Sequence, residues 1–166
     1  MTQRTDTGYS PPIESRADLL SVFEGGEKPK DEWRIGTEHE KFVFRVDDHR
    51  APTYDEKGGI RDLLMGLTEF GWEPVRENGN VIALSGADGT ISLEPAGQFE
   101  LSGAALKNLH QTCAEAARHL GQCKMIGDRL GLGFLGVGMW PDKTRADLPV
   151  MPKGRYKVML NYMPKV

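Results

Sequence analysis

The stretch Trp33–Arg45, WRIGTEHEKFVFR, decides how the rest of the chain is read. Its aromatic and β-branched residues, followed by the turn-like DDHRAP, predict a β-strand. Side chains alternate across a strand, so Glu38, Glu40, Phe42 and Phe44 share one face, and His39, Lys41 and Val43 share the other. Two carboxylates two residues apart are separated by ~6.5–7 Å at the backbone. They stand in line with two phenylalanines that require a core. A site gathering a hard divalent cation would use such a pair, because Mg²⁺ takes few carboxylates and keeps its waters. The alternative is a strand whose outer end is simply wet.

Around this strand the composition is ordinary for a globular protein, with 27% charged and 39% hydrophobic residues in 166. That length suffices for one domain with a real core, or for part of a larger one. A net charge of −3 argues against nucleic-acid binding by bulk electrostatics. No apolar run approaches the ~18–20 residues that span a bilayer. The start has no apolar signal core, and residues 1–14 read as a disordered lead-in. Cys113 and Cys123 fall ten residues apart in one predicted helix, about 15 Å along its axis and too far for a bridge. They are expected to be buried small hydrophobes in a cytoplasmic protein.

Flanking patterns supply the other elements. Ile13–Glu24 predicts a helix capped by Ser15, with Leu19, Leu20 and Phe23 as its apolar face. Gly59–Phe70 predicts a second, from Ile60, Leu63, Leu64, Leu67 and Phe70 at helical spacing. Trp72–Arg76 and Asn80–Ser85 predict a strand pair across ENGN. Thr90–Glu94 and Gln98–Ser102 predict two more strands, broken by Pro95-Ala-Gly97. Leu106–Leu130 predicts the longest helix, with a seam of Leu106, Leu109, Cys113, Ala116/Ala117 and Leu120. Gly133–Gly138 predicts a buried strand, and RYKVMLNYM near the end starts a helix. The order implies an α+β fold, an antiparallel sheet with helices on one face and the other face open to a ligand.

A second acidic group lies at Glu94, Gln98 and Glu100, with Gln98 and Glu100 on one strand face. If these strands neighbour the first, four carboxylates converge and repel unless cations sit between them. Mg²⁺ with ATP phosphates would fill such a site. The other reading is that the strands are apart and the acids solvated. Gly131–Gly136 matches G-x-G-x-x-G literally, but it follows a helix and lies in a strand, so it is not a dinucleotide site. His39 and His110 lack zinc-type partners and read as structural. Lys153, Arg155 and Tyr156 form a basic cluster, suited to a carboxylate or phosphate or else a solvated turn.

At these residues the chain resembles a known family. IGTEHEKF at Ile35–Phe42, ISLEPAGQFELSGA at Ile91–Ala104, LHQTCAE at Leu109–Glu115 and MPKGRYKVMLNYMPKV at Met151–Val166 are similar to the plant and proteobacterial type of glutamate–cysteine ligase. The resemblance runs from about Trp33 to the last residue. It implies a glutamine-synthetase-like catalytic domain, a curved antiparallel sheet forming a funnel. It also implies ATP-driven joining of the glutamate γ-carboxylate to cysteine through a γ-glutamyl phosphate, the first step of glutathione synthesis. Glu38 and Glu40 then stand where the family's metal-binding strand glutamates stand. Glu94 and Glu100 are further candidates as metal or substrate-ammonium ligands, with Gln98, Arg155 and Tyr156 as substrate or ATP contacts. Cys113 falls in the helix motif of a family whose plant members are redox-regulated.

Family chains are much longer, so residues 15–166 are expected to be the N-terminal part of the catalytic domain, with little ligase activity alone. The partners implied are glutamate, cysteine and ATP, with no nucleic acid and no membrane. Competing readings are a sister ligase with another amine acceptor, a non-catalytic module that binds Mg²⁺ or glutamate, and a structural domain with no site.

Overall fold

The computed structural model describes residues 12–87 and 89–165. Most of the expected lead-in, residues 1–11, lies outside the described residues. The opening stretch forms strand β1 over Glu38–Arg45, shorter than the run that predicts it. Before it, Ile35 makes an isolated bridge to Leu106. Two neighbours flank β1. Its first half pairs antiparallel with β5, Phe99–Ser102, and its second half with β6, Leu132–Leu135. The remaining strands β2 (Glu73–Glu77), β3 (Asn80–Gly86) and β4 (Gly89–Leu93) complete one antiparallel sheet in the order β2-β3-β4-β5-β1-β6.

Local chemistry sets the connections. β2 and β3 are joined by Asn78-Gly79, both at left-handed φ (49° and 84°). A two-residue hairpin of type I′ requires this, and Asn-Gly tolerates it best. β4 and β5 are joined by a tight turn over Pro95–Gly97, closed by the Glu94 amide donating to the Gln98 carbonyl at 2.7 Å.

Helix α1 spans Arg16–Glu24, and Ser15 caps it through a reciprocal box with Asp18. None of its residues is buried, so Leu19, Leu20 and Phe23 do not form the expected packed face. Helix α2, Ile60–Leu67, continues as a 3₁₀ turn to Phe70 and buries Ile60, Leu63, Leu64 and Leu67. Helix α3 runs Leu109–Leu130 from an Asn108 cap and ends at Gly131. Its buried face is Glu115, His119, Cys123, Ile126 and Gly127. The expected seam is therefore displaced: Leu109 and Leu120 are exposed, and so is Cys113, while Cys123 alone of the cysteines is buried. The inward face instead uses Glu115, which accepts from the Ala104 amide, and His119, whose ring lies by those of His39 and Phe99. Helix α4, Gly154–Tyr162, is the helix expected near the end.

The core lies on the face of β1 that carries Lys41 and Val43, under α2 and α3. Gly66 of α2 lies against Ile126 of α3; a Cβ there would meet Ile126 Cγ2 at 2.7 Å, so glycine sets how closely the helices approach. Phe42 and Phe44 do not enter this core. They stand on the carboxylate face, against Trp140 (ring centroids 5.2 Å) and His49 (5.9 Å). Met151 and Tyr156 close the core near the β4–β5 turn, where Met151 approaches Gly97. No helix among the described residues is long and apolar enough to cross a membrane.

Candidate metal centre

The register of β1 against β5 places Glu40 directly opposite Glu100 and Glu38 opposite Ser102. Alternation turns all of them to the face away from the core. One oxygen from each of Glu38, Glu40 and Glu100 lies within 4.8 Å of the other two. Like charges facing each other across a ladder destabilise it, by roughly 1 kcal/mol per pair at this spacing even in a watery dielectric. The donor set is three carboxylates and no soft ligand, which suits a hard divalent cation and not zinc or copper.

Neighbouring side chains orient these acids. Gln98 Nε2 donates to Glu40 Oε2 at 2.7 Å. Ser102 Oγ donates to Glu100 Oε1 at 2.8 Å, and Ser92 Oγ to Oε2 at 3.3 Å. Glu94 is not in the triad. It accepts twice from Arg155 Nη2, at 2.6 and 2.8 Å, with Lys153 Nζ at 3.8 Å. Arg155 is more than half exposed, whereas Tyr156 is buried and its hydroxyl donates to the Leu93 carbonyl at 2.8 Å. The structure thus brings Glu38, Glu40, Gln98 and Glu100 together, pairs Glu94 with Arg155 beside them, and uses Tyr156 to anchor α4 to β4. A cleft of about 390 Å³ opens here between Glu38, Glu40, Gln98 and the Gly136-Val137-Gly138 segment. The same segment shows what the glycine-rich run does: Gly131 closes α3 and Gly133 lies against the Phe44 ring.

Behind this face the core encloses three buried polar side chains, Lys41, Glu115 and His119. Lys41 is only 1% exposed, and its Nζ donates to the carbonyls of His39 (3.1 Å) and Phe99 (3.2 Å). Burial pushes its pKa down to about 8, against the opposing pull of Cys123, Glu100 and Glu40. His119 stacks near Phe99 and touches Cys123 Sγ at 3.5 Å. Burial, with the Lys41 charge, pushes His119 down to about 3, and burial pushes Cys123 up to about 12. Glu115 accepts from the Ala104 amide at 2.8 Å, while its other oxygen and His39 Nδ1 are buried without a partner. Reading the strand did place Lys41 with Val43; the missing signal was which face is covered.

Fold and site together define an α+β protein whose open sheet face carries a carboxylate triad fit for a hard cation. The model of glutamate–cysteine ligase family 2 (GCS2) matches residues 34–166, and the chain belongs to that family. It is 55% identical over 153 residues to glutamate–cysteine ligase B, chloroplastic, of Oryza sativa subsp. japonica, covering 92% of this chain and 30% of the relative. It is 53% identical over 153 residues to glutamate–cysteine ligase, chloroplastic, of Arabidopsis thaliana (92% and 29%). The Medicago truncatula glutamate–cysteine ligase, chloroplastic, is 49% identical over 175 residues (99% and 34%). The chain thus spans about a third of the length of the curated relatives it matches. These names overturn the expectation of a cytoplasmic protein, because the relatives are chloroplastic. Lack of an apolar signal core does not separate the two compartments, since plastid transit segments are themselves Arg- and Ser-rich rather than apolar.

Proposed function

We propose that this chain supplies the cation-binding sheet of an ATP-dependent ligase that joins the γ-carboxylate of glutamate to the amine of cysteine, in glutathione synthesis. The observation that carries the reading is the convergence of Glu38, Glu40 and Glu100 on one open face, in a chain whose relatives are glutamate–cysteine ligases. In this proposal Glu38, Glu40 and Glu100 hold Mg²⁺, and Gln98 fixes the orientation of Glu40. When bound, the ion offsets the charge of ATP phosphates. Arg155 and Lys153, beside Glu94, offer cationic groups to a carboxylate or phosphate, with Arg155 held on a helix that Tyr156 anchors.

The chemistry proposed transfers the γ-phosphoryl group of ATP to the glutamate γ-carboxylate, releasing ADP. The cysteine amine then attacks the acyl phosphate, forms the amide and expels phosphate, losing a proton. The chain's part is positioning and charge neutralisation. The sheet is proposed as a segment of a glutamine-synthetase-like funnel.

Isothermal titration of Mg²⁺, then Mg²⁺–ATP and glutamate, into the chain tests this. Glu38→Gln/Glu40→Gln should abolish cation binding while leaving the circular dichroism spectrum unchanged. Undiminished binding in that variant would remove the sheet face as the site.

A further inference from the structure

A lysine that is 1% exposed in a packed core needs a reason, because burying an ammonium costs far more than burying the methylenes gains. Lys41 forms no ion pair with any carboxylate among the described residues. Its position is nonetheless specific. The His39 carbonyl belongs to the peptide group that carries Glu40, and the Phe99 carbonyl to the peptide group that carries Glu100. Lys41 Nζ donates to both, at 3.1 and 3.2 Å. It therefore sits directly beneath the one rung of the β1–β5 ladder where two acids face each other. The Phe99 ring, its centroid 5.6 Å from Nζ, completes the enclosure.

We infer that Lys41 is a positioning residue for the carboxylate triad: its ammonium ties the two peptides that bear Glu40 and Glu100 and acts as a fixed counter-charge behind them. The inference rests on the cation-site reading for its purpose, but its electrostatic content does not require a cation. Among the described residues Lys41 is the only buried lysine or arginine, so without its ammonium no buried cation stands behind the Glu40–Glu100 pair. With it, part of the mutual repulsion of the two acids is offset even when no cation is bound. A counter-charge of this kind costs some cation affinity, since it repels the ion it prepares for.

The test is a cycle of Lys41→Met, Glu40→Gln/Glu100→Gln and their combination in the full chain. Thermal midpoints are measured without metal, and Mn²⁺ affinity by titration. If Lys41 balances the acids, Lys41→Met shifts the midpoint several degrees less favourably when the carboxylates are present than when they are amides. Mn²⁺ binding to Lys41→Met tightens on the order of ten-fold. Equal midpoint shifts in both backgrounds, with Mn²⁺ affinity not increased, would reduce Lys41 to a hydrogen-bond clamp and overturn the inference. Should Lys41→Met fail to fold, the amide background must restore folding; failure to do so overturns it equally. A native chain that binds no Mn²⁺ yet keeps the coupling would sink the cation reading and leave Lys41's role standing.

Discussion

His119 is held neutral in the core, and its effect on stability has a definite sign. Its folded pKa is near 3 against 6.5 for a free imidazole. Between those values the unfolded chain binds a proton that the folded chain refuses. Stability is therefore complete above about pH 6.5 and falls as pH drops toward 3, by up to about 1.4 kcal/mol per unit. His119→Gln should flatten that acid limb in urea titrations run from pH 7 to 4; an unchanged slope would point to another group. Ala96 is a second residue with a local cost. Its φ of 65° places an L-residue in the left-handed region, between Glu94 and Gln98. Ala96→Gly should gain about 0.5–1 kcal/mol in chemical denaturation, the relieved strain less the added chain entropy. Tyr156→Phe should cost only about 1 kcal/mol. The Leu93 carbonyl it leaves still accepts from Lys153 Nζ at 2.6 Å.

Among elements, α3 separates what pattern shows from what packing decides. Gly131 and the helical spacing before it make the helix itself legible, although Asn108 caps it so that it starts at Leu109 and not at the expected Leu106. Its inward face was not, because Leu109 and Leu120 outrank Glu115 and His119 on any hydropathy scale yet face water. Ile126→Ala should therefore destabilise by roughly 2–4 kcal/mol, since Ile126 is 2% exposed and fills the space beside Gly66. Leu109→Ala should stay within about 0.5 kcal/mol. Thermal or urea unfolding of the two variants, side by side, distinguishes the faces. The strands were readable for the same reason the helices were: Asn78-Gly79 and Pro95–Gly97 punctuate short alternating runs. Their alternation also put Glu38 with Glu40 and Gln98 with Glu100. It could not say that the two pairs meet, because Gln98 and Glu40 are 58 residues apart in the chain.

At the scale of the molecule, the acid-bearing face is a single open layer. Its lining segment Gly136–Gly138 is exposed or half-buried, and nothing among the described residues encloses the triad. The acyl phosphate of the proposed reaction would have to be kept from water. We therefore expect the 166-residue chain alone to show cation binding but ligase turnover below detection, measured as cysteine-dependent phosphate release. Turnover at an ordinary enzymatic rate would show that one open layer suffices.

The amino-acid order alone carried the class of fold, the turn positions, the facing of the acids along each strand and the family motifs. All of these depend on residues within a few positions of one another. The neighbour relations needed folding: β5 beside β1, Glu40 opposite Glu100, Glu94 drawn to Arg155, and Lys41 beneath the acids. These depend on pairing between distant segments and on which sheet face the helices cover. A period of two gives two faces per strand but leaves unmarked which is dry. Here the face with two phenylalanines stays open to solvent at its acidic end, and the face with a lysine became the core.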